Sequence, residues 1–191
     1  MNKGDDFDDQ MIVAEVVSGQ KNLFRLLVNR HEKTVYAMGL SFFHNAEDAS
    51  DFTQEVFLKL FRALAHFEGR SRFSTWLYKI AYNTAVNSVT RRKEYQSLAE
   101  EKDGPPARAE ERAAPERAVL RDMVKEAVRE AVRELPERYR VCVDLFFFYG
   151  RSYLEIEAIT GYPVNTIKSH VFRAKKLLRE KLKQLIEGGV E

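Results

Sequence analysis

The 191-residue chain has one cysteine, Cys142. A single thiol excludes an intramolecular disulfide framework and any zinc site built on several cysteines. Cys142 sits in an apolar run, and its simplest reading is a small buried hydrophobe. Histidine is scarce too. His31, His44, His66 and His170 are scattered, without the short spacing that sets two imidazoles on one metal. Glycine-rich phosphate loops are absent. These gaps argue against an enzyme and against a bound metal or cofactor. No apolar run approaches the ~20 residues of a bilayer span. The segment from Met1 to Asp9 is acidic and lacks the apolar core of a secretory signal. The expectation is a cytoplasmic protein that does not insert into a membrane.

Missing charge is as informative as missing residues. From Gly69 through Lys93 there is no acid, while Arg70, Arg72, Lys79, Arg91, Arg92 and Lys93 are basic. Just upstream, Glu47, Asp48, Asp51 and Glu55 cluster with no base among them. The net charge of +2 averages over this segregation. Basic regions in two parts of a chain suggest two contacts with a polyanion; the acidic cluster suggests a protein partner. Asp48, Asp51 and Glu55 have helical spacing that a metal could use, but a solvated or partner-facing face is the commoner use.

Nothing in the chain alternates like a strand, and nearly all of it carries the helical period. Hydrophobic content of 45% is ample for packed cores. Helices are predicted at Phe7 to Val17, Lys21 to Phe43, Ala46 to Ala65 and Phe73 to Arg92, with Asn45 capping the third and Asp48 as its return partner. The stretch 93–116 differs. It holds Gly104, Pro105, Pro106 and Pro115, and after Leu98 no large apolar side chain, so it reads as a flexible linker. Helical period resumes at Arg117 and pauses at Pro136. A strongly apolar helix is predicted from Tyr139 to Tyr149. The fold class is all-α: a helical domain at 1–93, a linker at 94–116, and a small four-helix domain at 117–191.

The last forty residues are the most specific. Ser152 followed by Glu155 is a capping box, and Leu154, Ile156 and Ile159 supply an apolar face. Gly161 can end that helix in a left-handed conformation. From Asn165 a long helix begins, with Val164, Ile167, Val171, Ala174, Leu178, Leu182 and Leu185 at three- and four-residue steps. Lys168, Arg173, Lys175, Lys176 and Arg179 lie off that stripe. A short helix, a glycine turn and a basic second helix form a helix-turn-helix suited to the major groove.

The loop and helix from Phe67 to Arg92 interleave aromatics with bases and amides. Single strands are held by aromatic platforms and cations. Asn83 and Asn87 share a helix face and can read the edge of an unstacked base. Each aromatic, Trp76 included, is equally a candidate for the core.

Four segments together resemble the extracytoplasmic-function (ECF) sigma factors of bacterial RNA polymerase. Asp51 to Lys59 resembles the polymerase-binding segment, with its D-x-x-Q-E-x-F pattern intact. Phe67 to Asn83 resembles the melting and minus-ten segment. Leu135 to Arg140 resembles the opening of the fourth region. Tyr153 to Ala174 resembles the minus-thirty-five helix-turn-helix. The resemblance implies that Asp51, Gln54 and Glu55 dock on the clamp helices of the largest polymerase subunit, with the flap as a further contact. It places Phe67, Asn83 and Asn87 at a pocket for a flipped base, Arg72 and Trp76 beside the melted strand, and Arg91, Arg92 and Lys93 at phosphates. It puts Thr166, Lys168, Ser169, Arg173 and Lys176 on the helix that reads the upstream promoter element. Asn165 stands where glycine is frequent and His170 where arginine is, so a promoter sequence does not carry over. No sensor domain is appended, so regulation is expected from an anti-sigma factor.

An ordinary dimeric transcription regulator would leave the aromatic-basic segment unexplained. A protein-interaction adaptor would leave both basic regions unexplained.

Overall fold

The computed structural model describes residues 8–98 and 127–187, and every regular element among them is helical. The chain divides into two compact units, one formed by the helices up to Leu98, the other by the helices from 127 onward apart from residues 158–160.

In the first unit α1 spans Asp9–Val17 and a 3-10 turn, Lys21–Leu23, leads into α2, Phe24–Phe43. Leu27, Val35, Met38 and Phe42 form the buried stripe of α2. The helix stops at His44, whose left-handed backbone (φ 60°) returns its N–H to the Leu40 carbonyl. Asn45 then opens α3, Ala46–Ala63, accepting the Asp48 N–H at 2.8 Å. This cap satisfies one of the four orphan donors of a helix start. A 3-10 turn, Leu64–His66, follows, and α4 runs Phe73–Leu98. It extends past the predicted end at Arg92 and takes up the first residues of the predicted linker; the rest of that linker, and the start of the following helix, lie outside the described residues.

Gly39 sets how closely α2 and α3 pack. A Cβ at this position would stand 2.8 Å from Phe52 Cδ1 and 3.0 Å from Ala49 Cα. From α3 the core takes Phe52, Val56 and Leu60; from α4 it takes Phe73, Leu77, Tyr78, Ala81 and Ala85. Asp9 ties α1 to α2 by accepting from Arg30 Nη1 at 3.0 Å and lying 2.8 Å from His31 Nε2.

In the second unit helix α5 (127–133) precedes α6, Glu137–Val143. Pro136 opens α6, its fixed φ suiting a helix start. Arg140 is buried, and its Nη1 donates to the Arg133 carbonyl at 2.8 Å, closing the carboxyl end of α5. A core cluster joins Val132, Leu135, Tyr139, Val143 and Ala174. The predicted single helix through Tyr149 is instead α6 followed by a π-helical turn, Asp144–Phe148. Three consecutive helical residues point in different directions, so the three phenylalanines do not share one face. Leu145 is buried, Phe146 stacks on Tyr153 at 4.8 Å, and Phe147 and Phe148 face solvent.

Helix α7, Tyr153–Thr160, has the predicted capping box: the Glu155 N–H donates to Ser152 Oγ, and the Ser152 N–H donates to the Glu155 carboxylate. Gly161 ends it at φ 76°. Ile156 and Ile159 are buried, but Leu154 is 71% exposed and does not belong to the predicted apolar face. Helix α8 spans Val164–Glu187 and buries Ile167, Val171 and Ala174.

Candidate polymerase and nucleic-acid interfaces

Helix α3 turns one face inward through Ala49, Phe52, Val56 and Leu60. Asp51 and Gln54 lie exposed on the opposite face, and Glu55 is partly exposed there, paired with Lys59 one turn on at 2.6 Å. Leu58, 59% exposed, and Phe61, 40% exposed, continue the same face. Phe61 meets the Phe24 ring edge-on at 4.9 Å. The face is therefore acidic and amide at one end and apolar at the other. The sequence reading missed Leu58, although a leucine off the 52–56–60 stripe is a signal in itself. Asp48 does not join this face. It is gripped by Arg92 from the far part of α4, with Arg92 Nη1 on Oδ2 at 2.7 Å and Nη2 on Oδ1. The Arg92 and Asn45 hydrogen bonds hold the Asp48 carboxyl down at about 2.

In the loop before α4, Phe67 meets Trp76 at 5.1 Å and Phe73 edge-on at 5.7 Å. Phe73 is core; Phe67 and Trp76 are half-buried and keep one side toward solvent. Arg72 is exposed, and its carbonyl accepts the N–H groups of Thr75 and Trp76, starting the helix. Asn83 and Asn87 are both exposed, one turn apart, with Lys79 a turn before them. Tyr78 is core and Tyr82 half-buried with its ring against Phe42, so neither is an open platform. Arg91 is exposed. Arg92, assigned from sequence to phosphates, is committed to Asp48 and lies over the Phe43 ring at 5.2 Å. The side chain of Lys93 lies outside the described residues.

On α8 the buried stripe leaves Ser169 and Lys176 near the centre of the outward face, flanked by Thr166 and Arg173 on one side and Lys168 on the other. Phe172, 71% exposed, sits amid them. No apolar-stripe rule predicted it, because it belongs to the solvent face. Lys168 Nζ lies over Tyr153 at 5.9 Å and Lys175 Nζ over Phe147 at 5.6 Å, so aromatic rings steer these ammonium groups. Arg173, then Arg138, donates to the Tyr139 hydroxyl and lowers its pKa. His170 sits between the rings of Tyr139 at 5.2 Å and Tyr162 at 5.5 Å, its Nδ1 3.7 Å from Cys142 Sγ. Burial first, then repulsion from Arg138 and Arg173, pushes its imidazole below the ordinary value. His170 therefore packs within the unit instead of replacing an outward arginine. Cys142 is fully buried, as expected, and burial pushes its thiol up to about 12. Among the described residues no three His, Cys, Asp or Glu side chains are grouped to hold a metal.

Two family models match the chain: sigma-70 region 2 over residues 27–95, and sigma-70 region 4 over residues 125–178. The chain is 37% identical to the RNA polymerase sigma-H factor of Pseudomonas aeruginosa, over 93% of this chain and 95% of that protein. It is 34% identical to the ECF RNA polymerase sigma-E factor of Escherichia coli K12, over 93% of this chain and 96% of that one. Two solved structures share the fold. The sigma factor RpoE in complex with the anti-sigma factor NepR, from Bartonella quintana, has a TM-score of 0.69 at 22% identity, covering 84% of this chain and 96% of that one. CnrH in complex with the cytosolic domain of CnrY has a TM-score of 0.65 at 23% identity, covering 92% and 97%. The class is thus the sigma-70 superfamily. Within it, the chain belongs to the ECF sigma factors, which associate with core RNA polymerase and direct promoter recognition without being enzymes themselves.

The unqualified expectation of a cytoplasmic protein is corrected. The solved structure of CnrH, a protein of the same fold, is of its complex with the cytosolic domain of CnrY. What stands is narrower: among the described residues, no helix is long and apolar enough to cross a membrane.

Proposed function

We propose that the two units divide promoter recognition between them, the first through α4, the second from α5 onward, joined by the intervening chain. In the first unit the α3 face docks on the largest polymerase subunit. Asp51, Gln54 and Glu55 supply charge and hydrogen bonds, and Leu58 supplies a desolvated anchor at the edge of them. The exposed face of α4 from Lys79 to Arg91, which has no acid, then meets the melted non-template strand. Asn83 and Asn87 read a flipped base, Phe67 and Trp76 bound its pocket, and Arg72 and Arg91 meet the backbone. Binding energy realised only on the unpaired strand favours the open state.

In the second unit α8 lies in the major groove of the upstream element. Thr166, Lys168, Ser169, Arg173 and Lys176 supply phosphate and base contacts, and Phe172 supplies an apolar contact of the kind a thymine methyl takes. Tethering makes the second contact intramolecular. Two proteins of this fold were crystallised with a partner bound, one of them an anti-sigma factor. We extend this to the present chain: an anti-sigma partner holds it until released.

The observation that carries the reading is the pair of exposed amides, Asn83 and Asn87, on a helix without an acid through Lys93, beside a half-buried Phe67–Trp76 edge. Asn83→Ala removes a hydrogen-bonding edge without touching the core. Permanganate footprinting of the holoenzyme on a promoter tests it. The expected result is loss of strand opening, by about 1–3 kcal/mol, with upstream duplex contact intact. Normal opening with unaltered base preference would make Asn83 a solvated surface residue.

A further inference from the structure

Arg92 stands in a basic run, and sequence alone assigns it to a phosphate. The structure gives its guanidinium another occupation. Both terminal nitrogens engage the two oxygens of Asp48, one at 2.7 Å. The guanidinium also lies 5.2 Å from the Phe43 ring centroid, and Asn45 Nδ2 donates to the same Asp48 oxygen at 2.5 Å. Arg92 is near the far part of α4, and Asp48 is in the first turn of α3, 44 residues earlier. The fork-to-fork pairing of a guanidinium with a carboxylate fixes orientation as well as distance. It therefore clamps the helix that carries Asn83 and Asn87 onto the helix that carries Asp51, Gln54 and Glu55.

We propose that Asp48 and Arg92 are a pair of positioning residues. They fix the single-strand-reading face of α4 relative to the docking face of α3, and Arg92 does not contact DNA. A phosphate would have to displace a carboxylate already oriented by Asn45. The neighbouring Arg91 is exposed and, among the described residues, is gripped by no carboxylate in this way, so it is the phosphate contact of the pair. This inference rests on the assignment of α4 to the melted strand.

The test uses the full chain in holoenzyme on a promoter, with opening read by permanganate and affinity read against salt. Arg92→Lys keeps the positive charge but loses the two-toothed grip. A phosphate contact would survive that change, because lysine meets phosphate as a point charge. The clamp would not. The expected result is about fivefold less open complex for Arg92→Lys, and the same for Asp48→Asn. The double variant should be no worse than either single one, because both remove the same contact. The salt slope should stay at the parental value in Arg92→Ala and fall by about 0.7–0.9 in Arg91→Ala. Full opening in Arg92→Lys with a lowered slope in Arg92→Ala would overturn the inference in favour of a phosphate contact. Full opening and unchanged slope in every Arg92 and Asp48 variant would overturn it in favour of a surface ion pair without function. Asn83→Ala run alongside separates the two readings. If it opens normally, the assignment of α4 has failed; if it is defective while the Arg92 and Asp48 variants are not, only the clamp has failed.

Discussion

Gly39 offers a test in which two physical effects have opposite signs. In a helix interior Gly→Ala gains about 1 kcal/mol from propensity alone. At Gly39 the new methyl would stand 2.8 Å from Phe52 Cδ1, 3.0 Å from Ala49 Cα and 3.2 Å from Ala49 Cβ. The phenylalanine ring is 3% exposed and Ala49 is fully buried, so neither has solvent to move into. The nearest backbone atom belongs to α3 and moves only with the helix. Overpacking of this kind costs about 1–3 kcal/mol. The sum for Gly39→Ala is a net loss of about 1 kcal/mol. Gly39→Leu adds three more carbons at the same crossing and should lose about 3 kcal/mol or more by the same mechanism. Urea unfolding followed by circular dichroism, with unchanged m-value, measures both. Shortening the opposing side chain, Phe52→Leu, should recover part of the Gly39→Ala loss. A Gly39→Ala variant more stable than the parent would refute the argument, since propensity would then have won and the helices would not approach so closely.

Charge reversal of the docking face, Asp51→Arg with Glu55→Arg, should abolish co-purification with core polymerase and leave helical content unchanged, because both side chains lie outside the core. Unaltered core affinity would remove the docking assignment. The Asp48 carboxyl, held at about 2, contributes stability that is complete above the ordinary carboxylate value near 4 and is lost as pH falls from there through 2. Arg92 is half-exposed and screened, so the contribution is about 1 kcal/mol, and Asp48→Asn should flatten that part of an acid titration of stability. Cys142, fully buried with its thiol raised to about 12, should resist a thiol reagent at pH 8 in the native protein and react at once in urea. Rapid native labelling would place it at a surface.

The parts of this architecture legible in the sequence are those encoded locally. Asn45 with Asp48, Ser152 with Glu155, and Gly161 each act within four residues, so their cap and turn chemistry is written in adjacent positions. The buried stripe of α8 follows from a period of 3.6 alone. What composition could not reveal is which side chains find distant partners. Arg92 looks like its neighbour Arg91 until Asp48, 44 residues away, is brought beneath it. Arg173 is both an outward base and a donor to the Tyr139 hydroxyl. The run from Tyr139 to Tyr149 reads as one strongly apolar helix, and neither the π-helical turn nor the exposure of Phe147 and Phe148 is written in that apolar character. Leu58, Leu154 and Phe172 were missed or misplaced for a related reason. Leu154 is apolar like Ile156 and Ile159 yet is exposed, while Leu58 and Phe172 lie off the buried stripes of their helices, where periodicity assigns no role.

The central claim is that two separate surfaces of one chain read two separate promoter elements on behalf of polymerase. Reconstitution of this chain with core RNA polymerase on a library randomised at both elements tests it most directly, with transcript start sites as the readout. The account predicts two enriched blocks at fixed separation: an upstream block whose preference shifts with substitutions at Ser169, Phe172 or Lys176, and a downstream block whose preference shifts with substitutions at Asn83 or Asn87. A single enriched block, or two blocks indifferent to both sets of substitutions, would contradict it.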